Sequence, residues 1–164
     1  MIQIQNETDY IRIVEEFSDI LFRIAFQNLM NRSDAEDVVQ DVFVKLLKQK
    51  KGFTDDEHLK AWLIRVTINR CRDYGRLLFR QTEVPLMEYD GIEDTPDREI
   101  LLELQQLKRA ERTVLYLHDY EGYSIREIAE LTGRNKNTVG STLTRARNKM
   151  KVLLKEEEAY ANLS

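Results

Sequence analysis

Ser124-Ile-Arg-Glu-Ile-Ala-Glu-Leu-Thr-Gly-Arg-Asn-Lys-Asn-Thr-Val-Gly-Ser-Thr-Leu-Thr-Arg-Ala-Arg147 is the stretch from which the rest of the chain can be read. Ser124 and Glu127 are spaced as a capping box, which predicts a helix starting at Ile125. Ile125, Ile128 and Leu131 fall on one helical face, and Ala129 is small enough for a second helix to cross closely. Gly133 supplies the positive φ of a tight helix end. Asn135 is placed to cap the next helix, whose buried face begins at Val139. Ala129, Gly133 and Val139 together have the spacing of a helix-turn-helix. The second helix, with the turn before it, presents Arg134, Lys136, Asn137, Thr138, Ser141, Thr142, Arg145 and Arg147, donors suited to base edges and phosphates. An ordinary helical hairpin with a solvated basic face is the alternative reading; turn, small residue and basic helix together favour nucleic-acid binding.

Composition agrees with a helical, intracellular protein. The chain has 164 residues, enough for one domain or two small ones. Only 2 prolines and 6 glycines point to an α-rich fold. The single cysteine, Cys71, excludes an internal disulfide and a cysteine-based zinc site, and suits a reducing compartment. No apolar run reaches the roughly 20 residues of a membrane span, and the first residues lack the pattern of a signal peptide. A cytoplasmic location without membrane insertion is expected.

Net charge is −4, unlike a protein that binds DNA through bulk positive charge. The charge is segregated, however. Leu131 to Leu154 contains no acid but has Arg134, Lys136, Arg145, Arg147, Lys149 and Lys151. Gln81 to Asp97 contains no Lys or Arg but has Glu83, Glu88, Asp90, Glu93, Asp94 and Asp97. A basic end beside an acidic middle suggests DNA binding that is conditional on a partner.

The chain before that acidic segment reads as three helices. Glu7 to Met30 carries Tyr10, Val14, Phe17, Leu21, Ile24 and Asn28 at helical spacing. Ser33 and Glu36 offer a second capping box, opening a helix with Ala35, Val38, Val39, Val42, Phe43, Leu46 and Leu47 inward. Its other face shows Asp34, Glu36, Asp37, Gln40 and Asp41; acids in the first turn also suit the helix dipole. Thr54 and Glu57 offer a third box. The helix of Leu59 to Phe79 has Leu59, Trp62, Leu63, Val66 and Tyr74 inward. Its basic side bears Arg65, Arg70, Arg72, Arg76 and Arg80, with Asn69 and Asp73 among them. Trp62 and Tyr74 are available for stacking on unpaired bases, although core packing is the favoured reading for Trp62.

Residues 81–95 are polar and acidic, without helical period, and mark a linker. Thr95-Pro96 reads as N-cap and first residue of a new helix, with Ile100, Leu101, Leu104 and Leu107 apolar. A further helix runs from about Arg109 to Asp119. The expected organisation is all-α: a domain over 1–80, the linker 81–95, a helix-turn-helix domain over 96–155 and a fraying tail, 156–164. His58 and His118 have no ligand-spaced partners, and no P-loop, dinucleotide or nucleophile-elbow pattern occurs. No enzyme activity, metal, cofactor or small-molecule substrate is expected.

Together the two halves resemble the extracytoplasmic-function sigma factors of bacterial RNA polymerase, over residues 8 to 155. Asp34-Ala-Glu-Asp-Val-Val-Gln-Asp-Val-Phe43 is similar to the family's polymerase-docking helix. Ala61-Trp-Leu-Ile-Arg-Val66, with Asn69, Asp73 and Arg76, is similar to its strand-separating helix. Glu121 to Ala129, Thr138-Val139 and Arg145-Ala-Arg147 are similar to region four. The resemblance implies that Asp34, Glu36, Asp37, Gln40, Asp41 and Phe43 dock core RNA polymerase. It implies that Trp62, Arg65, Asn69, Arg72, Asp73 and Arg76 meet the melted downstream (minus-ten) element, with the segment Lys50 to His58. Ser124, Arg134, Lys136, Asn137, Thr138, Ser141, Thr142, Arg145 and Arg147 would meet the upstream (minus-thirty-five) element of promoter DNA. The linker would thread the polymerase's RNA channel, and an anti-sigma factor is an implied partner. The chain departs from the family pattern with Lys108 for Pro, Asn137 for Gly, and Gly140 and Thr142 where Lys and Arg are frequent. Two other classes compete: a stand-alone helix-turn-helix regulator, and a polymerase-binding adaptor with a decayed DNA site.

Overall fold

The computed structural model describes the backbone of residues 1–81 and 103–163, and side chains of 1–74 and 103–155. The chain forms two compact units, Met1–Asp90 and Gly91–Ser164. Their division falls inside the stretch read as a linker. Of that stretch only Gln81 is described, as the last residue of the third helix; residues 82–95, the cap at Thr95-Pro96 and the apolar pair Ile100 and Leu101 lie outside the described residues. Six helices are described: α1 (Glu7–Leu29), α2 (Arg32–Leu47), α3 (Asp56–Gln81), α4 (Arg109–Leu115), α5 (Ile125–Thr132) and α6 (Lys136–Leu163). The only extended pairing among the described residues is an isolated bridge between Ile2 and Phe53.

In the first unit α1, α2 and α3 pack against one another. Ile13, Leu21 and Ile24 of α1 meet Val38, Val42 and Leu46 of α2 and Leu59, Leu63 and Ile64 of α3, all fully buried. Such burial contributes about 1.5–3 kcal/mol per large apolar side chain. The α3 seam continues through Thr67, Ile68 and Cys71. It therefore sits one position off the expected face, and Trp62, Val66 and Tyr74 are half-buried at its edge.

Two caps differ from the sequence expectation. Met30 takes a left-handed conformation (φ 53°) and its N–H returns to Phe26 O. The chain has then already reversed, so Asn31 is the first extended residue, and its side chain accepts from Asp34 N at 2.9 Å. The box of Ser33 and Glu36 does not form; Ser33 lies within the first turn and Glu36 pairs with Arg32 at 3.1 Å. At α3, Asp55 accepts from His58 N at 2.8 Å, while the N–H of Thr54 donates to His58 Nδ1 at 3.0 Å. The nearer carboxylate displaces Thr54 as the cap.

In the second unit α4 and α5 pack on α6, around Val114, Leu117, Ile128, Val139, Leu143 and Ala146. The helix read as ending at Asp119 is regular only to Leu115. Tyr116–Tyr120 forms a wider turn, in which Glu121 N donates to Tyr116 O at 3.1 Å. Gly122 (φ 75°) then turns the chain toward Ser124. At the other end α6 stays helical to Leu163, through the stretch expected to fray. Glu156-Glu157-Glu158-Ala159 are good helix formers, which favours this extension.

Candidate polymerase and nucleic-acid interfaces

The helix-turn-helix is built as the sequence specifies. Ser124 Oγ accepts from Glu127 N at 3.1 Å, and Glu127 Oε1 accepts from Ser124 N at 3.3 Å, closing the capping box. Gly133 (φ 69°) ends α5. Asn135 Oδ1 accepts from Asn137 N at 2.8 Å, starting α6. Ala129 and Val139 are buried where the two helices cross.

The residues read as upstream-element contacts do not all share one surface. Arg134, Lys136, Asn137, Thr138 and Ser141 are exposed, on and just before the first turns of α6. The Ser141 hydroxyl donates to Asn137 O and Thr138 O at 2.9 and 3.1 Å, so its oxygen remains as an acceptor. Ser124 is exposed, but its side chain is committed to the cap. Thr142 is a correction: it is 2% exposed, and its hydroxyl donates to Thr138 O at 2.7 Å. It lies on the Val139–Leu143 side of the helix, where it is core rather than base contact. Arg145 is exposed and folds back onto Thr142 Oγ1 at 3.3 Å.

Arg147 reaches Asp119 Oδ1 at 2.7 Å and His118 Nδ1 at 3.0 Å. Burial raises the Asp119 carboxyl, but the hydrogen bonds and charge of Arg147 and His118 outweigh it and leave the pKa lowered. Two residues further along α6, Lys149 pairs with Glu111 at 2.7 Å; the Glu111 side chain is 3% exposed. Burial again opposes ionisation, and Lys149 with the Lys108 N–H (3.2 Å) holds the Glu111 pKa below its ordinary value. Proline at position 108 would lack that N–H, so here the family departure is used by a buried carboxylate. The pairing of Glu111 and Lys149 was not legible, because nothing in sequence spacing links α4 to α6.

In the first unit the acidic face of α2 is only partly free. Glu36, Asp37, Gln40 and Asp41 are exposed. Asp41 is paired with Arg70 of α3 at 2.8 Å. Half-buried Asp34 accepts from Tyr74 Oη at 3.1 Å. Burial, then the carboxylates of Asp34 and Asp37, push the Tyr74 pKa up to about 12. Tyr74, read as a base-stacking residue, is thus engaged with α2. Arg70 also lies 6.0 Å from the Tyr74 ring. Phe43 is a second correction: it is 5% exposed and packs edge-on against Tyr10 of α1, centroids 6.4 Å apart, because its position on α2 faces α1.

On α3, Arg65, Asn69 and Asp73 are exposed and recur every four residues on one face. Arg72 and Trp62 are half-buried. Trp62 meets the buried Phe53 ring at 5.5 Å, which supports core packing over a base contact. The side chain of Arg76 lies outside the described residues. Among the described residues no helix is long and apolar enough to cross a membrane, and no cluster of His, Cys, Asp and Glu could hold a metal ion.

The profile described as Sigma-70 region 2 matches residues 13–78, and that described as Sigma-70, region 4 matches residues 97–150. The chain is 31% identical over 143 residues to RNA polymerase sigma factor NccH of Alcaligenes xylosoxydans xylosoxydans, covering 77% of this chain and 76% of that protein. This chain belongs to the extracytoplasmic-function sigma factors. It is also 29% identical to RNA polymerase sigma factor SigV of Bacillus subtilis, covering 84% of this chain and 86% of that one. Among solved structures, CnrH in complex with the cytosolic domain of CnrY is similar at 26% identity and a TM-score of 0.67, over 93% and 91% of the two chains. The fold is also that of the sigma factor RpoE in complex with the anti-sigma factor NepR from Bartonella quintana, with a TM-score of 0.70 over 90% of this chain and 97% of that one. Sigma factors are transcription initiation factors.

Proposed function

We propose that this sigma factor binds core RNA polymerase through α2 and directs initiation at promoters it reads with two separate surfaces. Glu36, Asp37 and Gln40, with the outer part of Asp41, present the docking face. The Lys50 to His58 segment and the Arg65, Asn69 and Asp73 face of α3 receive bases of the melted downstream element, with Arg72 and Arg76 nearby in sequence. Flipping a base costs a few kcal/mol, and cationic and aromatic groups that hold the single strand offset it. Arg134, Lys136, Asn137, Thr138 and Ser141 read the upstream element in the major groove. Arg145 contacts phosphate, and Arg147 braces the helix against the Tyr116–Tyr120 turn. The acidic stretch 81–95 occupies a basic channel of the polymerase. The protein acts in the cytoplasm, where an anti-sigma factor sequesters it.

The observation that supports this reading most is the pairing, in one chain, of an exposed acidic α2 with a capped α6 whose first turns are polar and exposed. Reconstitution with core polymerase is the test. Promoter-dependent transcription is expected, together with weak binding of the free protein to promoter duplex at physiological salt. Tight, sequence-specific duplex binding by the free protein, without polymerase association, would replace this reading with a stand-alone regulator.

A further inference from the structure

The segment Ile2-Gln3-Ile4-Gln5 alternates in burial: Ile2 and Ile4 are half-buried, Gln3 and Gln5 exposed. Ile2 exchanges both backbone hydrogen bonds with Phe53, N–H to O at 2.6 Å one way and 2.7 Å the other. Phe53 belongs to the connection between α2 and α3. It is 3% exposed and clasped edge-on by His58 and Trp62, at 5.4 and 5.5 Å. A buried backbone N–H needs a partner, and for Phe53 that partner is Ile2. Gly52 leaves no room for a side chain: a Cβ there would lie 2.6 Å from Gln3 Cγ and 2.9 Å from Ile2 O. Beyond the bridge, Gln5 N–H bonds Asp9 at 3.1 Å and Asn6 caps α1. The chain from Met1 to Asn6 therefore ties the start of α1 to the α2–α3 connection, while Lys50 and Lys51 remain exposed on it.

We propose that Met1–Gln3 is a positioning segment for promoter capture, fixing the Lys50–Thr54 connection in the shape that receives an unpaired base of the downstream element. The inference rests on the reading that this connection meets that element. Removing the bridge leaves Phe53 N–H without its partner and the lysines beside it without a fixed backbone. Capture of one base then loses its geometry, while the α2 docking face is untouched.

Ile2→Pro deletes the N–H that bonds Phe53 O, Gly52→Val forces the two segments apart, and Ile2→Val keeps the bridge. Each is assembled with core polymerase and assayed on pre-melted bubble templates carrying every base at each downstream position. Ile2→Pro and Gly52→Val are expected to lower discrimination at one position by about tenfold, the scale of one base contact. Polymerase affinity is expected to stay within about twofold, and Ile2→Val to behave as the parent. Unchanged discrimination in both variants, or loss of polymerase binding in both, overturns the proposal; the latter assigns the bridge to folding alone. Lys50→Ala, Lys51→Ala and Asn69→Ala separate the two levels. If these leave discrimination intact, the downstream assignment itself fails. If they alter it while Ile2→Pro does not, only the positioning role fails.

Discussion

The acidic face of α2 and the basic face of α6 look equivalent as charge patterns, but the fold uses them differently. On α2 the carboxylates at both ends of the face are occupied from within, Asp34 by Tyr74 and Asp41 by Arg70. On α6 the occupied charges lie toward the middle of the helix, Arg147 and Lys149, tied to Asp119 and Glu111. Arg134 and Lys136, at its start, form no ion pair among the described residues. An internal ion pair lowers the charge a face offers to a partner but fixes where the helix sits. The α6 arrangement braces the middle of the helix and leaves the first turns open for recognition. The α2 arrangement narrows the open polar surface to Asp37 and Gln40, with Glu36 shared with Arg32 and Asp41 with Arg70.

The largest effect should come from reversing charge on the exposed part of the α2 face. Asp37→Lys is expected to weaken polymerase binding by more than about tenfold, since like charge placed at an interface costs several kcal/mol. Asp41→Lys also breaks the Arg70 pair, an exposed pair of the class worth about 0–1 kcal/mol, and the double variant should abolish assembly with helicity intact. Titration of polymerase with each variant checks this; unchanged affinity in the double variant removes the docking assignment.

Next comes the α6 brace. Lys149→Ala leaves Glu111 buried without its cation, at an expected cost of about 1–3 kcal/mol. The native carboxyl is held below its ordinary value of 4.5. Its contribution is therefore complete above that pH and is lost as pH falls through the lower folded value. The difference in Tm between parent and Lys149→Ala should accordingly narrow on acidification below that range. A difference that widens in acid would show that Glu111 is not held ionised by Lys149.

Asn137 and Arg145 divide the open half of α6. Substituting Asn137 should change which upstream base is preferred, by about 1–3 kcal/mol at one base pair, while Arg145→Ala should weaken all promoters alike. Transcription from templates with single upstream changes decides it; a preference that moves with Arg145 and not Asn137 would put the helix in the wrong register.

The smallest effect is expected at Gly140, where an added Cβ meets nothing within 4 Å. Gly140→Ala should stabilise the second unit by about 0.5–1 kcal/mol through helix propensity, measurable by denaturant melting, without changing base preference.

Local signals in the sequence identified the helix-turn-helix almost atom by atom, because Ser124, Glu127, Gly133 and Asn135 act on backbone only a few residues away. Where two local signals competed, sequence chose the wrong one: Asn31 caps α2 in place of Ser33 because Met30 turns the chain first, and Asp55 lies nearer the α3 start than Thr54. Periodicity put Phe43 on the inward face, where the structure has it, and only the resemblance moved it to the docking surface; Thr142 was placed on its helix but not on its face, since a residue at the margin of an apolar stripe is assigned by what crosses it. Pairings across elements, such as Asp41 with Arg70 and Glu111 with Lys149, depend on helix packing and carry no sequence spacing. The bridge at Ile2 did leave a trace, the alternation Ile-Gln-Ile-Gln, which is a period-two pattern easily passed over in so helical a chain.

The corner at Met30 has a consequence for how this family member can vary in length. A single left-handed residue separates the end of α1 from the cap of α2, and its side chain is buried. A non-glycine residue in that conformation is held there at a cost of about 1–2 kcal/mol, so the surrounding packing dictates it. An inserted residue absorbed into α2 would rotate that helix by about 100° about its axis, turning the docking acids away from their present face, and one left in the corner would disturb the caps made by Met30 and Asn31. A change of length at this corner therefore costs either the orientation of α2 or its caps, so the corner acts as a gauge between the first two helices.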